Sequence, residues 1–512
     1  MIGPGELAAR FHAVQERLPA ALGAASQGAT VTVVVVPSLS SEPDLVRREP
    51  VLRYWEHRML YLLGALRDET VHLVVVTSRA VSPAAAAYAL DVHAHGVGGA
   101  GTRLSVLTCA EEDGELLTQR LLRRPDLLAR IRSACAATRH AYIECFAATE
   151  PECRLAIELG LPLNAADPAL AGPGRKSGGR RLMRELGIPV PTGIEGVRGV
   201  EALARALADL KGRDPALEQA VVKLESSVGG VGNAVFRYAG VEAASTDALV
   251  AGLAERLELA VPVLGLPTFL RRVADEGCVV EHLVDGPGLR SPSVQCTIGP
   301  DGRVAIEGTH DQVLTGVLGQ HFGGCWFPAA DATVIHAAAA AVGRRLSALG
   351  VIGWFGLDLL TSDGPGGRRP CGIEINLRSS GTVHHLRTLR DLVGGTYDEV
   401  SGEHLAEDGA PRAYYGTDGV VVPGLVGMEA VDLVRACGGA PWAFRRSSGT
   451  GVVLHMLDAV TAHGRLGLTC IGRTRTHAAA LLDAAVSDLA LLAGRRDEGV
   501  PRTGEPGPAQ AR

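Results

Sequence analysis

The stretch Gly353-Trp-Phe-Gly-Leu-Asp358-Leu-Leu-Thr361, the turn Ser362-Asp-Gly-Pro-Gly-Gly-Arg368, and Cys371-Gly-Ile-Glu374-Ile-Asn376-Leu-Arg378 together decide how this chain folds. Two apolar runs around a Gly/Pro turn predict a β-hairpin. Side chains alternate along a strand, so Glu374, Asn376 and Arg378 share one face. Asp358 is positioned to lie across the hairpin from them. Two carboxylates and an amide oxygen are hard donors that suit magnesium, an ion that typically bridges substrate phosphates. A solvent-facing hairpin strand would show the same alternation, so the pattern needs support from elsewhere in the chain.

Lysine usage supplies part of that support. Lysine and arginine total 50, yet only Lys176, Lys211 and Lys223 are lysine. Where a compact ammonium must meet phosphate oxygens as a point charge, the guanidinium fork is a poor replacement. Lys211, in the polar stretch Lys211-Gly-Arg-Asp-Pro215, reads as incidental. Lys223 stands in Val221-Val-Lys223-Leu-Glu-Ser-Ser-Val-Gly-Gly-Val-Gly-Asn233, a β-branched run followed by a Gly-rich loop. Backbone N–H groups in such a loop can cradle phosphate beside the lysine. Lys176 precedes a helix expected over residues 179–186, stopped by Gly187 and followed by the extended Ile188-Pro-Val-Pro191. Lys176-Ser177 is no P-loop, because Arg175 stands where glycine is required and no strand feeds the turn. Gly96-Val-Gly98-Gly-Ala-Gly101 precedes a strand instead of following one, so it reads as a loop and not as a dinucleotide fingerprint.

Outward from these motifs, residues 1–165 alternate strands and helices, predicting a doubly wound α/β domain. Strands are expected at Val31–Val36 and Val71–Thr77, with weaker ones over 103–107 and 141–146. Helices are expected over 45–66, 116–136 and 150–159. From about residue 220 the pattern turns to strands with Gly-rich hairpins, with helices over 253–263 and 332–349. After about residue 400 comes a smaller α+β stretch with a strand near 451–457 and a helix over 476–492. Residues 494–512 are Pro, Gly and charge without periodicity and are expected to be disordered.

Composition narrows the class of protein. The 512 residues are 46% hydrophobic and 21% charged with a net charge of −6, which argues against a dedicated nucleic-acid binder. The longest apolar runs fall short of the ~20 residues that span a bilayer. The N-terminal stretch lacks the apolar core of a signal peptide. Ten cysteines without a Cys-x-x-Cys pair suit buried thiols in a reducing cytoplasm better than disulfides or zinc. A cytoplasmic protein without nucleic-acid or membrane partners is the expectation.

Lys176 before its helix, Lys223 with its Gly-rich loop, Val279-Val-Glu281-His-Leu-Val284 and the hairpin ending Glu374-Ile-Asn376-Leu-Arg378 occur in the order of an ATP-grasp ligase, which the chain resembles over residues 166–400. Over nearly its whole length it is similar to the pheganomycin-type peptide ligases, at Val33–Leu39, His310-Asp-Gln-Val-Leu314, Glu374–Thr382 and Thr450–Met456. The resemblance implies a Rossmann-like pre-ATP-grasp domain over 1–165 and an ATP-grasp domain over 166–400 with its lid at about 190–280. It also implies a small α+β C-terminal domain over 401–493, and a homodimer as the family-level expectation.

For function, the resemblance implies ATP-dependent joining of a carboxylate to an amine through an acyl phosphate, with small molecules or peptides as substrates in natural-product biosynthesis. A small-molecule kinase and a non-catalytic nucleotide-binding module are the alternatives. Lys176 and Lys223 match the lysines on the ATP phosphates, and Ser226, Ser227, Gly229 and Gly230 the loop closing over them. Glu281 matches the carboxylate near adenine, with His282, Leu283 and Val284 offering backbone contacts. Asp358, Glu374 and Asn376 match ligands for magnesium, two ions being expected. Arg378 matches the arginine that stabilises the acyl phosphate, with Lys223 beside it as the second catalytic cation. His310, Asp311 and Gln312 fall towards the carboxylate substrate, and Ser380, Gly381 and His384 towards the amine. The sequence departs from D-Ala–D-Ala-type ligases at Gly356, where they carry arginine, and at Asp285-Gly-Pro-Gly288, which stands where they place a ribose-binding glutamate.

Overall fold

The computed structural model describes residues 4–41, 43–110, 115–227, 230–239, 246–316 and 321–499. Strand β1 (Val31–Val36) is buried at every position, as expected for a β-branched run covered on both faces. With β2 (Val71–Thr77), β3 (Leu104–Thr108) and β4 (His140–Cys145) it forms a parallel sheet of order β3-β2-β1-β4. Val34, Val36, Val74 and Val76 pack into the core on one face, while Val33, Val35, Leu73 and Val75 pack into the core on the other. The helix Glu150–Leu159 follows a capping box in which Thr149 and Glu152 satisfy each other's backbone ends, and Gly160 closes it at φ +65°.

A second, antiparallel sheet contains β5 (Gly193–Val197), β6 (Gln219–Leu224), β7 (Asn233–Arg237), β8 (Leu257–Leu259) and β9 (Cys278–His282), in the order β5-β9-β6-β7-β8. The third sheet holds β10 (Pro292–Ile298), β11 (Val304–Thr315), β12 (His321–Phe327), β13 (Gly353–Gly364) and β14 (Gly367–Asn376). It continues through β15 (Thr396–Asp398), β16 (Glu403–Leu405), β17 (Pro411–Val421), β18 (Gly451–His455) and β19 (Arg465–Gly472). Its path runs β14-β13-β10-β11-β12-β17-β16-β15, with β19 joining β17 to β18.

Several expectations need correction. The helix expected over 45–66 is a short α-helix, Pro43–Arg48, followed by an 18-residue 3₁₀ helix, Pro50–Arg67. Pro50 disfavours helical backbone at Glu49, which sits at φ −120°, ψ 81° and separates the two. The helix expected over 116–136 is likewise two, Leu117–Leu121 and Pro125–Ala136, because Pro125 starts a new one. The helix expected over 253–263 instead ends at Arg256, and Leu257–Leu259 pairs with β7 as an edge strand. The last helix runs Arg475–Gly499, so residues 494–499 belong to it; residues 500–512 lie outside the described residues.

Within that last helix, Arg475–Arg495 is long and apolar enough to cross a membrane. Counting uninterrupted apolar residues missed it because Asp483 and Asp488 break the run. In the fold, Ala478 is fully buried, Ala485, Leu489 and Ala493 enter a core shared with β18 and β19, and Asp488 accepts a hydrogen bond from Trp442 Nε1 at 2.7 Å.

Candidate active site

The β13–β14 hairpin forms as expected, with Asp358 opposite Glu374 and Gly356 opposite Asn376. Asn376 Nδ2 donates to Asp358 Oδ2 at 3.0 Å, and Arg378 Nη2 donates to Asn376 Oδ1 at 2.8 Å. Gln312 Nε2 donates to Asp358 Oδ1 at 2.9 Å from β11, two strands away. Burial pushes the Asp358 carboxyl up to about 6, and the neighbouring Glu374 carboxylate pushes the same way. Ser293 opposes this by hydrogen bonding to Asp358, as do the charges of Arg378 and Lys176. Two facing carboxylates beside an amide oxygen make a donor set that fits a hard divalent cation.

Lys176 joins this group. Its Nζ stands 2.8 Å from Glu374 Oε1 and 3.3 Å from the carbonyl of Ser227, at the start of the Gly-rich loop. Its backbone N–H bonds to the carbonyl of Glu225, so the helix Lys176–Glu185 is stitched to the end of β6. Glu225 in turn accepts from the backbone N–H and the hydroxyl of Ser177. Gly178 makes the approach possible, since a Cβ there would stand 1.9 Å from the carbonyl oxygen of Gly172.

Lys223 lies on β6 and pairs with Glu281 on β9. Glu281 is 2% exposed and also takes Arg180, whose guanidinium bonds Glu195 at 2.8 Å and the Pro191 carbonyl at 2.7 Å. Burial pushes the Cys371 thiol of β14 up to about 11, and the charge of Glu281 on the second sheet pushes the same way. Lys176, Asp358, Glu374 and Asn376 are thus brought together around the hairpin, while Lys223 meets Glu281 on the second sheet. Arg180 is a residue that sequence reading missed; nothing local sets it apart from Arg181 and Arg184 in the same helix.

Other expected residues sit differently. The His282 N–H already bonds the Thr192 carbonyl, while the Leu283 side chain is exposed. Ser226 gives its carbonyl to Arg272, Gly230 adopts φ +82°, and Gly229 lies outside the described residues. His310 is fully buried, bonds the Tyr414 hydroxyl through Nε2 at 2.6 Å, and is pushed down to about 3 by burial. Asp311 points away from Gln312: its Oδ2 accepts from the Ala330 N–H at 2.9 Å and from Arg475 at 2.5 Å. Ser380 hydrogen-bonds Thr382 at 2.8 Å, and Gly381 follows in the same turn. His384 is buried, its ring tilted against that of His385, and lies 3.1 Å from Asp418. Gly356, where D-Ala–D-Ala-type ligases carry arginine, leaves room for Gln295, whose amide would lie 3.4 Å from a Cβ at that position.

The pre-ATP-grasp domain family matches residues 56–161, and the PGM1 C-terminal domain family matches residues 432–485. The L-propargylglycine–L-glutamate ligase of Streptantibioticus cattleyicolor is 33% identical over 463 residues, covering 86% of this chain and 91% of that protein. This chain belongs to the pheganomycin-type ATP-grasp ligases. Among solved structures, the ADP complex of the N5-carboxyaminoimidazole ribonucleotide synthetase purK is similar at TM-score 0.51 and 14% identity, covering 92% of this chain and 98% of that one. Biotin carboxylase from Campylobacter jejuni is similar at TM-score 0.54 and 13% identity, covering 91% of this chain and 95% of that one. The ligase fold thus combines the parallel N-terminal sheet, the five-stranded antiparallel sheet and the long antiparallel sheet. As an ATP-grasp ligase, the enzyme joins a carboxylate to an amine at the expense of ATP.

Proposed function

We propose that this ligase works through an acyl phosphate, with Lys176, Lys223, Asp358, Glu374, Asn376 and Arg378 as its working residues, and that both substrates are amino acids or peptides. The observation that carries this reading is the continuous contact from Lys176 through Glu374, Asp358 and Asn376 to Arg378. The name of the Streptantibioticus relative, with an amino acid on each side of the new bond, supports the substrate class. Domain limits near residues 165 and 400, with the lid between about 190 and 280, are part of the same proposal.

A carboxylate oxygen of the acid attacks the γ-phosphorus of ATP, and ADP leaves. The amine nitrogen then attacks the acyl carbon, phosphate departs, and the amine loses its proton. Lys176 and Lys223 exchange their present carboxylate partners for phosphate oxygens, which carry more charge. Asp358, Glu374 and Asn376 would hold magnesium, which supplies charge neutralisation on the phosphates. Arg378 holds the charge that develops on the acyl phosphate and its tetrahedral successor. The Gly-rich loop after β6 excludes water, which would otherwise hydrolyse the activated acid.

The test supplies ATP, magnesium, hydroxylamine and a library of amino acids and peptides to the purified chain. One or more acids should give a hydroxamate with stoichiometric phosphate; phosphate release without any hydroxamate across the library would remove the acyl-phosphate reading.

Two variants probe the nucleotide side. Lys223→Arg keeps the charge but forces a broad fork into the place where an ammonium meets the buried Glu281. It should raise the KM for ATP and lower kcat together by on the order of 10-fold or more, checked by steady-state kinetics. Gly230→Pro asks for φ near −65° where the backbone holds +82°. The loop should then seat poorly, and phosphate release uncoupled from amide should rise several-fold.

A further inference from the structure

His384 takes a partner that identifies another residue. It bonds Asp418 on β17, and Asp418 grips Arg58 of the 3₁₀ helix with Nη2 at 2.7 Å. Burial pushes the Asp418 carboxyl up, but Arg58 and His384 overcome this and hold it well below the usual range. Arg465 donates through Nε to the Asp418 backbone carbonyl at 2.9 Å, and its charge repels that of Arg58. The ligand atoms of His384, His385 and Asp418 lie within 4.8 Å of one another, but the Arg58 cation already holds the outer carboxylate oxygen.

Arg58 is only 8% exposed, and its guanidinium carbon lies 4.0 Å above the Trp55 ring. Its Nε has no hydrogen-bond partner among the described residues. Its Nη1 stands 3.7 Å from where a Cβ on Gly381 would be, with Phe322 at 3.8 Å. Gly381 belongs to the turn Ser379–Thr382, which leads from Arg378 into the helix Val383–Val393. The turn therefore has a cation at each end and a helix N-terminus that favours anions behind it. In the ligase reading Arg378, beside Asn376, serves the acid being activated, which leaves the Nε and Nη1 side of Arg58, at the other end of the turn, for a different group.

We propose that Arg58, clamped by Asp418 and backed by His384, reads a carboxylate on the incoming amine substrate, so that the acceptor is an amino acid or peptide with a free C-terminus. The assignment rests on the ligase reading above and adds a residue from the N-terminal part of the chain to acceptor recognition. Its positional logic is that a guanidinium already fixed by an ion pair and an aromatic ring loses little freedom on meeting a carboxylate.

The experiment takes the acid found in the hydroxamate screen and compares L-amino acids with their α-carboxamides as acceptors. Charge-assisted recognition predicts that the wild-type chain favours the carboxylate form by on the order of 10- to 100-fold in kcat/KM. In Arg58→Met that ratio should fall to within about 3-fold, and Arg58→Lys should retain part of it. Because both acceptors are measured on one preparation, loss of folded protein cancels from the ratio. Gly381→Ala, which only adds a methyl beside Nη1, should raise the KM for the carboxylated acceptor more than it lowers kcat. A wild-type ratio near one, an unchanged ratio in Arg58→Met, or a ratio that follows a second carboxylate on the acid instead would each overturn the assignment. Should no acid form a hydroxamate, the ligase reading fails first and Arg58 falls with it; a hydroxamate-forming enzyme indifferent to the acceptor carboxylate sinks Arg58 alone.

Discussion

Replacing Glu374 with glutamine should reduce amide formation by on the order of 10²- to 10³-fold while leaving the chain folded. The carboxylate stands opposite Asp358 on the hairpin and 2.8 Å from Lys176. Glutamine keeps the shape and one oxygen donor but removes the charge needed by a divalent cation. Charge stabilisation by such an ion is worth several kcal/mol, and each tenfold in rate corresponds to about 1.4 kcal/mol. Folding is protected because Lys176 keeps the Ser227 carbonyl as a partner, and Asp358 loses the like charge that pushes its carboxyl up. The measurement is single-turnover amide and phosphate formation at several magnesium concentrations, with the thermal midpoint as control. Near wild-type turnover in Glu374→Gln would remove Glu374 from the metal set.

Arg180→Met should have the largest effect on stability. Arg180 is 2% exposed and carries Glu281, Glu195 and the Pro191 carbonyl on one guanidinium. Methionine fills the volume but leaves Glu281 buried with Lys223 as its sole cation among these contacts. Removing one partner of a buried ion pair costs about 3–5 kcal/mol, because the other charge stays desolvated. Urea unfolding should show that loss, and Arg180→Met combined with Glu281→Gln should recover part of it. A change below about 1 kcal/mol would mean that water reaches Glu281 and that the pair is a surface feature.

The strands of the N-terminal sheet were legible because a run such as Val31–Val36 is β-branched throughout, with Thr32 as its one polar residue and that one buried. The hairpin was legible because its alternation and its Gly/Pro turn agree, and the register does pair Asp358 with Glu374. The segment 45–66 was misread because its helical periodicity is real, yet Pro50 divides it and the second part winds as 3₁₀. That segment also supplies Arg58, which one-dimensional reading treats as one arginine among many. Asp311 shows the converse: it neighbours Gln312 in sequence, but a strand sends consecutive side chains to opposite faces, and only Gln312 reaches Asp358.

Residue types and their spacing were enough to single out the scarce lysines and the row of oxygen donors, because these are local properties of a strand or a loop, and the order of those motifs carried the resemblance to the ligase family. Which carboxylate each lysine meets, that Arg180 ties Glu281 and Glu195 together, and that His384 and Arg58 meet at Asp418 came only with the packed chain. Those contacts join residues from 15 to 360 positions apart, as Arg180–Glu195 and Arg58–Asp418 illustrate, and no pattern along one segment encodes partners brought together by folding.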